Sequence, residues 1–86
     1  MYRYKKSVHV NYDKQGYIYF YSRLYNELDA DAQAYIRKVA KEAGGEHAEA
    51  VMRYVTTNDS ATKICAECYL SKATLHRAVA KYYELF

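Results

Sequence analysis

The sequence predicts an all-α protein: a compact domain of four to five helices behind a basic N-terminal arm or short strand. Three observations lead to that class. No proline occurs, and only Gly16, Gly44 and Gly45 stand as glycines in 86 residues, so few points force the backbone out of a helix. Apolar residues recur at three- and four-residue spacing through most of the chain. Hydrophobic residues make up 51% of it, which suits a packed core and not a disordered chain. The length leaves room for one domain only. We divide it into an arm over residues 1–12 and a helical domain over residues 13–86.

The arm carries Arg3, Lys5 and Lys6 with no apolar periodicity, followed by an alternation over Ser7 to Tyr12 that fits a short strand or an extended segment. Residues 14–28 admit two readings. Tyr17, Tyr19 and Tyr21 alternate with Ile18 and Phe20, and residues 13–16 could turn a hairpin back to Val8. Against that, Tyr17, Phe20, Tyr21, Leu24, Tyr25 and Leu28 recur at helical spacing over a longer run. We read a helix, capped by Asp13, with these aromatics expected in the core and not on a stacking surface.

The next helix is expected to start at a cap on Asp29 or Asp31, with Ala32, Tyr35, Ile36, Val39 and Ala43 on its apolar side and Gly44-Gly45 ending it. A third runs from about Glu46, with Ala50, Val51, Tyr54 and Val55 inward and Glu46 and Glu49 favoured by the dipole in its first turn. Residues 56–60, Thr-Thr-Asn-Asp-Ser, form a loop that closes on an N-cap at Ser60.

Charge is uneven along the chain. The first fourteen residues are basic, residues 15–59 hold five bases against seven acids, and residues 60–86 are basic again through Lys63, Lys72, Arg77 and Lys81. Basic ends around an acidic middle suit a polyanion held by an arm and a C-terminal face. The first ten residues lack the apolar core of a signal peptide, and no apolar stretch approaches the ~18 residues of a membrane span. The expectation is a cytoplasmic protein with no membrane partner and two free thiols.

The segment from Ala61 to Ala80 carries the most specific pattern. Ile64 and Cys68 face inward from a first helix, Cys65 is small where two helices cross, Leu70 plugs a turn, and Leu75, Ala78 and Val79 anchor a second helix that Ser71 can cap. Leu70-Ser71-Lys72-Ala73-Thr74-Leu75-His76-Arg77 resembles the turn and recognition helix of the helix-turn-helix family. Similar segments occur in bacterial and phage repressors, in resolvase and invertase DNA-binding domains, and in the sigma-factor region that reads the upstream promoter element. The resemblance covers about 20 of 86 residues. It departs from the family at Tyr69, where a turn glycine is usual; a non-glycine at positive φ costs about 1 kcal/mol.

The resemblance implies sequence-specific binding of double-stranded DNA, in transcription or recombination control of a bacterial mobile element such as a conjugative transposon. Helical spacing then puts Ser71, Lys72, Ala73, His76, Arg77 and Ala80 on the exposed face. Arg77 suits a bidentate contact to guanine, Lys72 guanine or phosphate, and Ala73 a thymine methyl. Thr62, Lys63 and Lys81 are expected on phosphate, and Arg3, Lys5 and Lys6 in the adjacent minor groove or along the backbone.

Cys65-Ala66-Glu67-Cys68 is a C-x-x-C, but His9, His47 and His76 supply no second close pair for zinc, so we assign both thiols to packing and expect no metal and no cofactor. No nucleophile–base–acid set, paired carboxylates or glycine-rich phosphate loop is visible, so no enzyme is expected. The alternative reading is an adaptor that docks a protein such as RNA polymerase through a tyrosine-rich face. Tyr82, Tyr83, Leu85 and Phe86 either close the core or form a homodimer patch.

Overall fold

The structure, a computed structural model, describes residues 4–6 and 8–86. The chain is all-α. Among the described residues there are five α-helices and no strand: α1 (Tyr12–Arg23), α2 (Ala30–Gly44), α3 (Ala48–Thr56), α4 (Ala61–Cys68) and α5 (Lys72–Leu85), with 3₁₀ turns at Tyr25–Glu27 and Gly45–His47. The hairpin reading of residues 13–22 is thereby excluded. No helix of the described residues is long and apolar enough to cross a membrane.

α2, α3 and α5 pack on one another and form the centre; α1 leans on α3, and α4 spans α3 and α5. The core joins Ile18, Ile36, Val39, Val51, Val55, Ile64, Leu75, Val79, Tyr82 and Tyr83. Ala40, Ala50 and Ala78 are buried as well, small residues that let the helices approach closely.

α1, α2, α4 and α5 each start where a polar side chain satisfies a backbone N–H that the first turn leaves without a partner, whereas α3 follows a 3₁₀ turn with no side-chain cap. Asp29 Oδ1 accepts from Ala32 N at 2.9 Å, so the cap of α2 is Asp29 and not Asp31. α1 begins two residues earlier than a cap at Asp13 would place it: Asn11 Oδ1 accepts from Lys14 N at 2.8 Å. α2 ends on Gly45 at φ 56°, a left-handed value that glycine reaches without a Cβ clash. Beside it, a Cβ on Gly44 would stand 3.0 Å from Val51 Cγ2, so Gly44 lets α3 close against α2.

The face that α1 turns inward differs from the expected one. Gln15, Ile18 and Ser22 are buried, whereas Tyr17, Phe20 and Leu24 are 60%, 57% and 48% exposed. Buried hydrogen bonds account for the difference. Gln15 Nε2 donates to the carbonyls of Lys5 (3.0 Å) and Val10 (2.9 Å), and its Oε1 accepts from Lys5 N at 2.8 Å. Ser22 Oγ meets Tyr82 Oη at 2.7 Å. A satisfied buried polar pair specifies a face as firmly as an apolar stripe does. The stripe also ends at Leu24: Tyr25 sits in a 3₁₀ turn, where its hydroxyl accepts from Arg37 Nη1 at 2.6 Å.

Gln15 also ties the N-terminal segment down. Val8 is buried at 4% exposure, so the described residues 4–10 lie against the helices and do not project as an arm.

Burial pushes the Tyr82 hydroxyl up from 10.0 to about 12, against the opposing hydrogen bond to Ser22. The folded state therefore holds this proton where the unfolded chain releases it. Stability should be level below pH 10 and fall by up to about 3 kcal/mol as pH rises from 10 to 12. Urea denaturation across that range tests it: Tyr82→Phe should flatten the slope.

Candidate nucleic-acid interface

α4, the turn and α5 are built from local rules that hold in order along the chain. Ser60 Oγ accepts from Lys63 N at 3.1 Å and opens α4. Ile64 is fully buried, and Cys65 and Cys68, both free thiols, are half-buried against the core. Tyr69 then takes φ 58° and ψ 51°, the left-handed conformation that ends α4, with its side chain 92% exposed. Leu70 N donates to Cys65 O at 3.2 Å, and the Leu70 side chain packs on the core. Ser71 Oγ accepts from Thr74 N at 3.1 Å and opens α5. The connection is therefore three residues long, and its angle is held by a cap on one side, an apolar plug in the middle and a left-handed residue on the other.

Because Tyr69 contributes almost no packing, its backbone strain should be removable. Tyr69→Gly should raise the melting temperature, by an amount corresponding to at most about 1 kcal/mol. Thermal denaturation measures it.

α5 divides cleanly into two sides. Leu75, Ala78, Val79, Tyr82 and Tyr83 are buried, and Ser71, Lys72, Ala73, His76 and Arg77 are exposed over its N-terminal half. Arg77 Nη2 reaches Thr74 Oγ1 at 3.4 Å, a weak tether that leaves the guanidinium extended to solvent. The His76 ring stands edge-on to Tyr54 with centroids 6.2 Å apart. Ala80 is half-buried and lines a shallow groove with Lys5, Val8 and Tyr54, so it stands at the border of the exposed face and not within it. Lys81 is exposed further along the helix.

Thr62 and Lys63 are exposed on the first turn of α4, where Lys63 Nζ lies 3.6 Å from Asp59 Oδ1. Lys6 is exposed. Lys5 is not: its ammonium lies over the rings of Tyr54 (5.3 Å) and Tyr83 (5.9 Å) and donates to Tyr54 Oη at 3.3 Å. Lys5 is thus held on the bundle and is not extended as expected. Arg3 lies outside the described residues.

One residue that organises this region was missed from the sequence. Arg53, on α3, donates to Asp59 Oδ2 through Nη2 (2.9 Å) and Nε (3.3 Å), bridges to Glu67 Oε1 at 2.8 Å, and reaches Cys68 Sγ at 3.9 Å. It straps both ends of α4 to α3. Hydrogen bonding to Asp59 and then to Glu67 raises the Arg53 pKa further above its ordinary value, and Arg53 in turn lowers that of Asp59. Folding with a depressed carboxylate pKa means that this strap is intact above the ordinary aspartate range and is lost as pH falls through the folded value. The same contacts offset part of the negative charge of Asp59 and Glu67, at the two ends of α4. No sequence spacing announces it, because Asp59 and Glu67 fall across a loop from Arg53.

The described residues contain no group of three His, Cys, Asp or Glu side chains arranged for a metal ion. What the region can offer chemically is a rigid helix face with cationic, hydrogen-bonding and small side chains side by side. No family model, no curated protein and no solved structure matches the chain.

Proposed function

We propose that this chain binds double-stranded DNA sequence-specifically, with α5 entering the major groove as the recognition helix of a helix-turn-helix. The observation that carries the reading is the face of α5: Lys72, Ala73, His76 and Arg77 stand exposed together, while Leu75, Ala78 and Val79 anchor the opposite side. A groove-reading helix needs both properties, since base edges are distinguished only by side chains held in a fixed register. Arg77 reads guanine, Lys72 guanine or phosphate, and Ala73 a thymine methyl. Thr62, Lys63 and Lys81 contact the backbone and set the register. The pairing of Asp59 and Glu67 with Arg53 offsets one of their two negative charges and so reduces the repulsion that those acids would exert on phosphate. By its resemblance, the protein acts as a transcription or recombination regulator of a bacterial mobile element, in the cytoplasm.

Salt dependence tests the reading. About four phosphate contacts should give a slope near −3.6 in log affinity against log salt, or roughly a hundredfold loss between about 50 and 200 mM. An affinity that changes less than about threefold over that range contradicts it.

A second reading is favoured by a separate observation. Tyr17, Phe20 and Leu24 form an exposed apolar stripe on α1, the kind of surface that docks another protein, whether RNA polymerase or a second copy. Association through that stripe would respond weakly to salt, so the same titration separates the two.

A further inference from the structure

A cavity of about 230 Å³ lies away from the exposed face of α5, between α1, the loop before α4 and the C-terminal part of α5. Two cations reach it, Lys5 and Arg23, among the rings of Tyr19, Tyr54 and Tyr83. The Arg23 guanidinium lies 4.8 Å over the Tyr19 ring, and its Nη1 is held by Asn58 Oδ1. Neither cation is paired with a carboxylate among the described residues. The acid in the lining, Asp59, is already matched by Arg53 and Lys63. Arg23 Nε is buried and has no acceptor. A buried charged donor left in that state is costly, by more than the ~1–3 kcal/mol of a neutral one, and calls for an explanation.

We propose that this cavity is a binding site for a small phosphate monoester, whose phosphoryl oxygens accept from the Arg23 guanidinium and from the Lys5 ammonium. Three properties select that class. Two cations lining one cavity with no carboxylate partner of their own among the described residues favour a dianion over a neutral ligand or a monoanion. Asn58 holds Nη1 and so fixes the plane of the guanidinium before a ligand arrives, leaving Nη2 without a partner among the described residues. The volume falls below the ~300–1,000 Å³ of pockets that take drug-sized ligands, so a phosphoryl group with one small ring fills it, and that ring meets the tyrosine walls. The site does not depend on α5 reading DNA.

The test is a titration of the full chain with phenyl phosphate and with inorganic phosphate, followed by the NMR shift of the Arg23 Nε–Hε group and of the amides of residues 57–61. The site predicts saturable shifts confined to those signals, with phenyl phosphate binding more tightly than inorganic phosphate. Arg23→Lys keeps the charge but loses the planar guanidinium fork, and should weaken binding about tenfold or more, with Lys5→Gln weakening it as well. Amide spectra of both variants establish that they remain folded. Shifts that do not saturate, or that spread over all the exposed lysines, overturn the proposal even if no variant can be made. Displacement of phenyl phosphate by a short duplex would put a DNA phosphate in the cavity and overturn its assignment to a free small ligand.

Discussion

Leu75→Ala is expected to be among the most damaging aliphatic truncations in the domain. Leu75 is fully buried on α5, the helix that packs against α2, α3 and α4 together, so the lost side chain leaves a void bounded by several elements. Leucine-to-alanine changes at such sites cost about 2–5 kcal/mol. For a domain of this size each kcal/mol moves the melting temperature by roughly 4–8 °C, so a fall of about 8–40 °C is expected in far-UV circular dichroism. The natural control is Leu24→Ala. Periodicity nominates Leu24 for the core, but it is 48% exposed, and its truncation should change stability by no more than about 0.5 kcal/mol. Equal effects at the two positions would mean that α1 packs the other way round.

Arg77→Ala is expected to have the largest effect on binding. A bidentate contact to guanine is worth about 1–3 kcal/mol of discrimination, so affinity for the preferred site should fall roughly 5- to 150-fold, while affinity for unrelated duplexes changes little. Stability should not move, since Arg77 is exposed and makes only the long contact to Thr74. Lys81→Ala should behave differently. A phosphate contact carries no sequence information, so its loss should weaken all duplexes alike and reduce the salt slope by about 1. Fluorescence anisotropy with matched and scrambled duplexes separates these two patterns.

How much of this was legible in the sequence depends on whether the determining interaction is local. The left-handed turn at Tyr69 was indicated only by the resemblance to turns where glycine is usual, whereas the caps at Asp29, Ser60 and Ser71 and the stop at Gly45 each depend on residues within four or five positions and follow from residue chemistry alone. So does the two-sidedness of α5, because Leu75, Ala78 and Val79 repeat at helical spacing. Failures came where a distant partner overrides the local pattern. The orientation of α1 is set by Gln15 bonding to Lys5 and Val10, and by Ser22 meeting Tyr82 sixty residues away. Apolar periodicity nominated a stripe of which Tyr21, Tyr25 and Leu28 pack against the core while Tyr17, Phe20 and Leu24 are exposed. Lys5 reads as a mobile basic residue until Tyr54 and Tyr83 are brought beneath its ammonium. Arg53 joins two acids that no helical or strand repeat relates to it. Across the candidate interface, therefore, the exposed side chains of α5 were legible and the strap that holds α4 behind them was not.

The central claim is that α5 reads base sequence, and selection from a pool of random duplex DNA tests it most directly, run in parallel with the wild-type chain and with Arg77→Ala. The account predicts that the wild type enriches a defined motif containing at least one guanine position, and that Arg77→Ala loses the preference at that position while retaining its fold. Enrichment of no motif by the wild type, or of the same motif with equal affinity by the variant, would contradict it.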